Sequence, residues 1–349
     1  MLSQRSILSS SSSSSSASAS AATSSSTSPP TSLVGSPEWR AHIPRLLRTL
    51  LPAFSLTLLL LAIFVMQPRA MSYFGLNLML NLAVPIALAT IAQMMVIAIN
   101  DLDLSLGAFI SFVACVAATW LNTHPVAGAL ALLACVGIYA LLGALIHLRQ
   151  LPAIVVTLGM SFVWSGAAIL LLPSPGGSAP DWLRTLVSIK TPWVPLAIVA
   201  SVVLALLVHL LMVRSTLGVR LRGAGGNAQA VAKSGVSLFK ARVTLYAFAG
   251  VFGVLAGLCL VGLTTSADAG IAMRYTLLSI AGVILGGGEF VGGRIAPIGA
   301  VLGALTLVLA GSLLSFIHIA PDWQIGAQGA ILIIVLALRT LANRIGARS

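Results

Sequence analysis

RSTLGVRLRGAGGNAQAVAKSGVSLFKAR, residues 214–242, is the stretch on which the reading of this chain turns. It is the longest polar interruption after the N-terminal tail and holds six of the nineteen Lys and Arg residues, with no Asp or Glu. Long apolar runs stand on both sides. A basic, Gly-punctuated segment of this kind cannot sit in hydrocarbon, so it lies on one face of a membrane, and by the positive-inside rule that face is the cytoplasm. Within it, Asn227 stands where a helix N-cap belongs, good helix formers run to Lys233, and Gly235 is placed to end the turn. A short helix along a membrane surface is a device for docking a partner. The alternative is a connection that only sets orientation.

The rest of the composition agrees. Of 349 residues, 58% are hydrophobic and 7% charged, and the mean hydropathy is +1.05. A soluble domain needs about 25% charged residues to cover its surface. The chain is therefore expected to be an all-α polytopic membrane protein. The net charge of +12 sits in loops and tails, which suits orientation and contact with the anionic lipid bilayer, not nucleic acid. Cys115, Cys135 and Cys259 lie in apolar runs without CxxC spacing, and the five histidines have no metal-ligand spacing. They read as buried small residues and scattered side chains, so no metal site is expected.

Residues 1–37 are low-complexity, with a serine run from Ser9 to Ser16. Such a segment has nothing to bury and lacks the apolar core of a secretory signal. Residues 1–44 are read as a disordered cytoplasmic tail, 45–340 as the transmembrane domain containing loop 214–242, and 341–349 as a basic cytoplasmic tail. A span needs roughly 20 apolar residues. Ten runs are expected to cross: about 50–66, 78–99, 104–121, 126–147, 152–172, 193–213, 243–263, 277–288, 298–317 and 324–338. With both termini inside, cytoplasmic segments carry 14 Lys and Arg residues and external loops carry 4, Arg69, Arg184, Lys190 and Arg274. That asymmetry favours an even number of spans.

Two places break the pattern. The junction from Ile99 to Gly107 holds Asp101 and Asp103, two of the seven acids, and no cation. It reads either as a helix break whose Asp and Ser105 cap the next span or as part of a water-filled path. Between Gly286 and Gly293, five glycines argue against an unbroken helix, since each costs about 1 kcal/mol relative to Ala. In a bilayer protein irregular backbone is tolerated only when buried or lining a cavity, and discontinuous helices often border transport paths. The segment lacks the Gly-Lys-Ser/Thr ending of a phosphate loop. Glu289 and Arg294 are placed to pair locally. Gly253/Gly257, Gly282/Gly286 and Gly299/Gly303 are spaced for close helix packing.

Four of these stretches, in order, resemble the permease subunits of bacterial ABC importers of the ribose/xylose/galactoside type. Asp103-Leu-Ser-Leu-Gly107 is similar to the core of that family's Gly-Gly-Ile-Asp-Leu-Ser-Val-Gly element, with Asn100 where Gly is usual. Leu151–Met160 resembles its Pro-Ala-Phe-Ile-Val-Thr-Leu-Gly-Thr segment. Gly225-Gly226-Asn227-Ala-Gln-Ala230 through Ser234-Gly235 resembles its cytoplasmic coupling element. Ile280–Gly293 followed by Gly299–Leu305 resembles its closing glycine signature, with Glu289 and Ile295 at positions usually filled by small residues.

The resemblance covers about residues 45–340 and implies a passive gate in the bacterial inner membrane. It implies an ATP-binding subunit docking on Gly225, Gly226, Asn227, Ala230, Ser234 and Gly235, with ATP and Mg held on that subunit and no cofactor in this chain. It also implies an extracytoplasmic solute-binding protein, a second permease copy and a monosaccharide or similar polar solute. Asp101, Asp103, Ser105, Thr157, Gly286, Gly287, Glu289, Gly292 and Gly293 are the translocation-path candidates. An ion-coupled secondary transporter is the first alternative, and would draw its coupling site from Asp101, Asp103 or Glu289. A membrane enzyme is the second, but no nucleophile–base pair or metal cluster is visible.

Overall fold

Backbone amides and carbonyls that enter hydrocarbon must be bonded within their own segment, and the chain meets this with helices. The computed structural model describes residues 38–318 apart from 190 and 291, and a few positions between 323 and 337. Its helices are α1 (Glu38–Met66), α2 (Tyr73–Met79), α3 (Ala83–Ile97), α4 (Leu106–Ala118), α5 (Trp120–Thr123), α6 (Pro125–Arg149), α7 (Ala153–Leu171), α8 (Asp181–Val187), α9 (Leu196–His209), α10 (Thr216–Gly226), α11 (Ala228–Lys233), α12 (Leu238–Thr264), α13 (Tyr275–Leu285) and α14 (Pro297–Phe316). Among the described residues there is no strand beyond one isolated bridge, Gly176 with Ala267.

Six described segments are long and apolar enough to cross a bilayer, and the bent pair α2–α3 makes a seventh, with 42° between its halves. The apolar part of α1, Pro52–Met66, and α13 are shorter. The protein is thus polytopic and all-helical. Nine of the ten expected runs coincide with these helices, while the tenth, 324–338, lies largely outside the described residues. The helix α1 starts at Glu38. The tail before it and residues 341–349 lie outside the described residues. Within 214–242 the short helix expected between Asn227 and Lys233 is α11, and a second helix not expected from the sequence, α10, precedes it.

Helix α3 is the axis of the bundle. All of it but Val84 is buried, as expected of a helix that is apolar on every side, and it packs against α9, α12, α13 and α14. By contrast α6, α7 and α9 carry Leu141, Phe162, Leu170 and Val202 outward, the pattern of lipid-facing helices. Glycines set the closest approaches. A Cβ on Gly286 would meet the Gly299 carbonyl, and one on Gly303 would meet the Gly282 carbonyl. The two glycine steps therefore face each other across the α13–α14 crossing. Gly253 and Gly257 of α12 give the same room to Phe109 and Val113 of α4. Lipid offers no hydrophobic drive for helices to associate, so such contacts hold the bundle.

Gly299→Leu forces backbone against side chain, and overpacking typically costs about 1–3 kcal/mol. The expected outcome is a clear fall in the thermal midpoint of the detergent-solubilised protein, larger than for Gly137→Leu, where open space surrounds the glycine. Equal midpoints would refute the crossing.

Candidate coupling and translocation site

The end of α3 shows why the chain breaks where it does. Asn100 N–H bonds Ile97 O at 2.9 Å and Asp101 N–H bonds Val96 O at 3.3 Å, with Asn100 at φ +64°. This is a Schellman turn with Asn at the left-handed position, a place that favours Gly and tolerates Asn. The break that follows leaves amides at and just before the start of α4 without helical partners, and side chains from three helices, together with Asp103 in the break itself, supply them.

Thr157 of α7 accepts from Leu104 N (3.1 Å), Asp103 Oδ1 accepts from Ser105 N (2.7 Å), and Thr276 of α13 accepts from Gly107 N (2.9 Å). Gln93 of α3, with its carboxamide turned to satisfy both atoms, accepts from Asp103 N (3.2 Å) and donates to Asp103 O (3.1 Å). Asp103 also accepts from the Ser105 hydroxyl (2.7 Å) and from the Tyr139 hydroxyl of α6 (2.8 Å). Asp103, Ser105 and Thr157 are buried. Asp103 bonds the amide of Ser105 just ahead of α4 and so does not cap the helix itself. Ser105 occupies the N-cap position without a side-chain cap bond and donates to the aspartate.

Asp101 points the other way. Arg242 of α12 places Nε 3.2 Å from Oδ2 in an ion pair and donates from Nη2 to Oδ1 at 3.3 Å, while the Tyr246 hydroxyl donates to Oδ2 at 3.2 Å. Burial pushes the Asp101 carboxyl above its ordinary value, and Arg242 and Tyr246 oppose that shift without cancelling it. Both carboxylates are thus engaged by the protein itself. Beside them a polar cavity of about 350 Å³ is lined by Asn100, Asp101, His147, Gln150, Ala228 and Arg242.

The glycine segment and the basic segment meet at the same end. The Asn100 carboxamide donates to Gly225 O at 2.7 Å and accepts from Gly292 N at 3.0 Å. A Cβ on Gly225 would meet Ala98 O, and one on Gly293 would meet Arg222 O. Gly287, Gly292 and Gly293 all take positive φ, which is why this turn is written in glycine. Glu289 pairs with Arg294 at 3.2 Å, and Gly286 lies in the α13–α14 crossing. Of the coupling candidates, Gly225 is buried, whereas Gly226, Asn227, Ala230, Ser234 and Gly235 are exposed. Asn227 caps α11 by accepting from Ala230 N at 3.0 Å, Ser234 donates to Val231 O at 2.8 Å, and Gly235 ends the turn at φ +82°.

At the opposite end Ser178 N and Ala179 N bond Ala118 O and Thr265 O, and a cavity of about 720 Å³ is lined by Asn77, Asn81, Asp181, Arg184, Thr185 and Ser188. Among the described residues no cluster could hold a metal ion. The sequence reading did not single out Gln93, Tyr139, Tyr246 or Thr276. A Gln and two Tyr inside apolar runs were the available signal, but their partners are far away along the chain.

The chain matches the family model of the branched-chain amino acid transport system permease component over residues 75–336. The chain belongs to this permease family. This permease is 26% identical over 298 residues to the ribose import permease RbsC of Escherichia coli K12, across 81% of its own length and 91% of the relative's. It is 26% identical over 309 residues to the galactose/methyl galactoside import permease MglC of the same strain, across 81% and 92%. Against MglC of Haemophilus influenzae it is 30% identical over 141 residues, across 40% and 42%. No solved structure matches the permease. The four resembling stretches all lie within the matched region.

Removing one partner of a buried ion pair typically costs about 3–5 kcal/mol because the other charge is stranded, and the partial exposure of Arg242 and Asp101 puts this pair at the low end of that range. Arg242→Met is therefore expected to lower stability by about 3 kcal/mol, and Asp101→Asn with Arg242→Met to recover part of it. Denaturant titration in detergent reads both, and additive effects would show that the pair is not coupled.

Proposed function

We propose that this permease is the membrane-spanning subunit of an ATP-driven importer for a monosaccharide, energised by a separate ATP-binding subunit that docks on α10–α11. The single observation that carries the docking reading is α11 itself. It is capped at both ends, contains no buried residue, and stands on the most basic segment of the chain. A six-residue helix with no buried residue, and only Val231 half-buried against α10, gains little stability from its own protein, so its order suits a partner's surface. The family and the RbsC and MglC relatives, over four fifths of the chain, support sugar import.

ATP and Mg reside on the partner in this reading, and both termini of the permease lie in the cytoplasm with α10–α11. An extracytoplasmic binding protein delivers solute to the opposite end, because a hydrated sugar must be captured before it meets the gate. Two permease copies, identical or homologous, form the path between them. Asp101 and Asp103 brace the α3–α4 break, and Glu289 pairs with Arg294. No acid among these three stands open for an ion-coupled cycle.

Asn227→Asp keeps the α11 cap, since Asp caps as well as Asn, and adds a negative charge to the docking surface. Uptake of labelled D-ribose or D-galactose by cells carrying the complete importer is expected to fall about tenfold, equivalent to ~1.4 kcal/mol, with membrane levels unchanged. One residue inserted after Ala230 is expected to act likewise. Normal uptake by both variants would remove the docking reading, and import of leucine but neither sugar would remove the substrate assignment.

A further inference from the structure

We propose that Asn100 is a positioning residue that ties the movement of α10–α11 to both interrupted helix junctions, α3–α4 and α13–α14. The inference rests on the docking reading above. Its geometric basis is a single carboxamide shared between two segments that lie far apart along the chain. One side of the amide donates to Gly225 O, at the C-terminus of α10, and the other accepts from Gly292 N, in the turn between α13 and α14. Its own backbone is the left-handed residue that closes α3. Three separate stretches of chain thus converge on one side chain, within hydrogen-bond distance in each direction.

The turn does not need that side chain. Glycine satisfies positive φ at no steric cost, so the Schellman turn alone would be served by Gly. What Asn adds is the pair of bonds to Gly225 and Gly292. The surrounding contacts leave those bonds little slack. The Gly225 backbone already lies against Ala98 O, Gly226 against Gly292 O, and Gly293 against Arg222 O. Nor is the α10 terminus free to slide along α3 alone, because Arg242, at the start of α12, grips Asp101 next to Asn100. A push on α11 moves its neighbour α10, and the α10 terminus carries Asn100 and the Gly292 turn with it. Differential contacts of this kind are what a coupling free energy between sites requires.

The decisive variant is Asn100→Gly, which preserves the backbone conformation and removes only the side-chain bonds. It is compared with wild type in sealed proteoliposomes, each as the whole complex with ATP-binding subunit and binding protein, using D-ribose and D-galactose as probes. Two quantities are read: solute moved per ATP hydrolysed, and hydrogen exchange of peptides covering 224–233 and 286–296 with and without ATP-vanadate. Expected for Asn100→Gly are normal complex assembly, retained ATP hydrolysis and a fall of about fivefold in solute moved per ATP, the lower end of typical coupling factors. In wild type the two peptides respond to nucleotide together, whereas in the variant the response is confined to 224–233. A merely structural role would lower hydrolysis and transport in proportion to folded protein, and that result overturns the proposal. So does an unchanged ratio with both peptides still responding together. If wild-type transport needs no ATP, the docking reading fails first and the role of Asn100 falls with it; if wild type is ATP-driven and the variant behaves identically, only the role of Asn100 falls.

Discussion

Unpaired backbone amides at the start of α4 are the constraint to which the rest of the basic end responds. A peptide group left without a partner in an apolar surrounding costs several kcal/mol, and a helix that stops and restarts within a bundle exposes several at once. Here Leu104, Ser105 and Gly107 find Thr157, Asp103 and Thr276, while Gln93 takes both backbone groups of Asp103. Those partners come from α3, α7 and α13, and Asp103 adds Tyr139 of α6. The interruption therefore ties five helices together. The Asp103 carboxyl in the middle of this arrangement is accommodated because two hydroxyls and an amide point at it.

Close backbone approach is the second requirement, and it explains the distribution of glycine better than turn formation alone. Gly282, Gly286, Gly299 and Gly303 let α13 and α14 touch along their backbones. Gly225 and Gly293 do the same between the α10 terminus, the end of α3 and the α13–α14 turn. Each lost side chain weakens the helix locally, by about 1 kcal/mol, and is offset by packing between elements. The consequence for mechanism is a contrast within one end of the bundle. The end of α10, the α3–α4 break and the glycine turn are braced against one another, and α11 beside them contains no fully buried residue. In the coupling proposed above, displacement applied at α11 is carried inward and not dissipated in a loop.

The sequence reading and the structure part company at specific residues. Asn100 drew notice only because Gly is usual at that place in the resembling family, yet it proves to be where the three segments join. Gly225 and Gly226 were grouped with Asn227 as one docking surface, but Gly225 faces inward and only the stretch from Gly226 onward is exposed. Asp101 and Asp103 sit two residues apart and face different partners, Arg242 and Tyr246 for one, Ser105 and Tyr139 for the other. Residue type and spacing marked these positions as unusual. They could not show partners that lie far off along the chain, as Gly292 does from Asn100.

Hydropathy, charge asymmetry and local cap signals are properties of short windows, so the sequence by itself determined the helical membrane class, most span positions, the basic end and the α11 cap. It also marked both helix breaks, because acids and glycine clusters within apolar runs are locally anomalous. Tertiary structure alone decided which side chains satisfy the broken backbone, which glycines face one another, and that Gln93, Tyr139 and Thr276 belong with Asp103 and the start of α4. Those outcomes depend on distances between segments far apart along the chain. Only the packing of the bundle sets such distances.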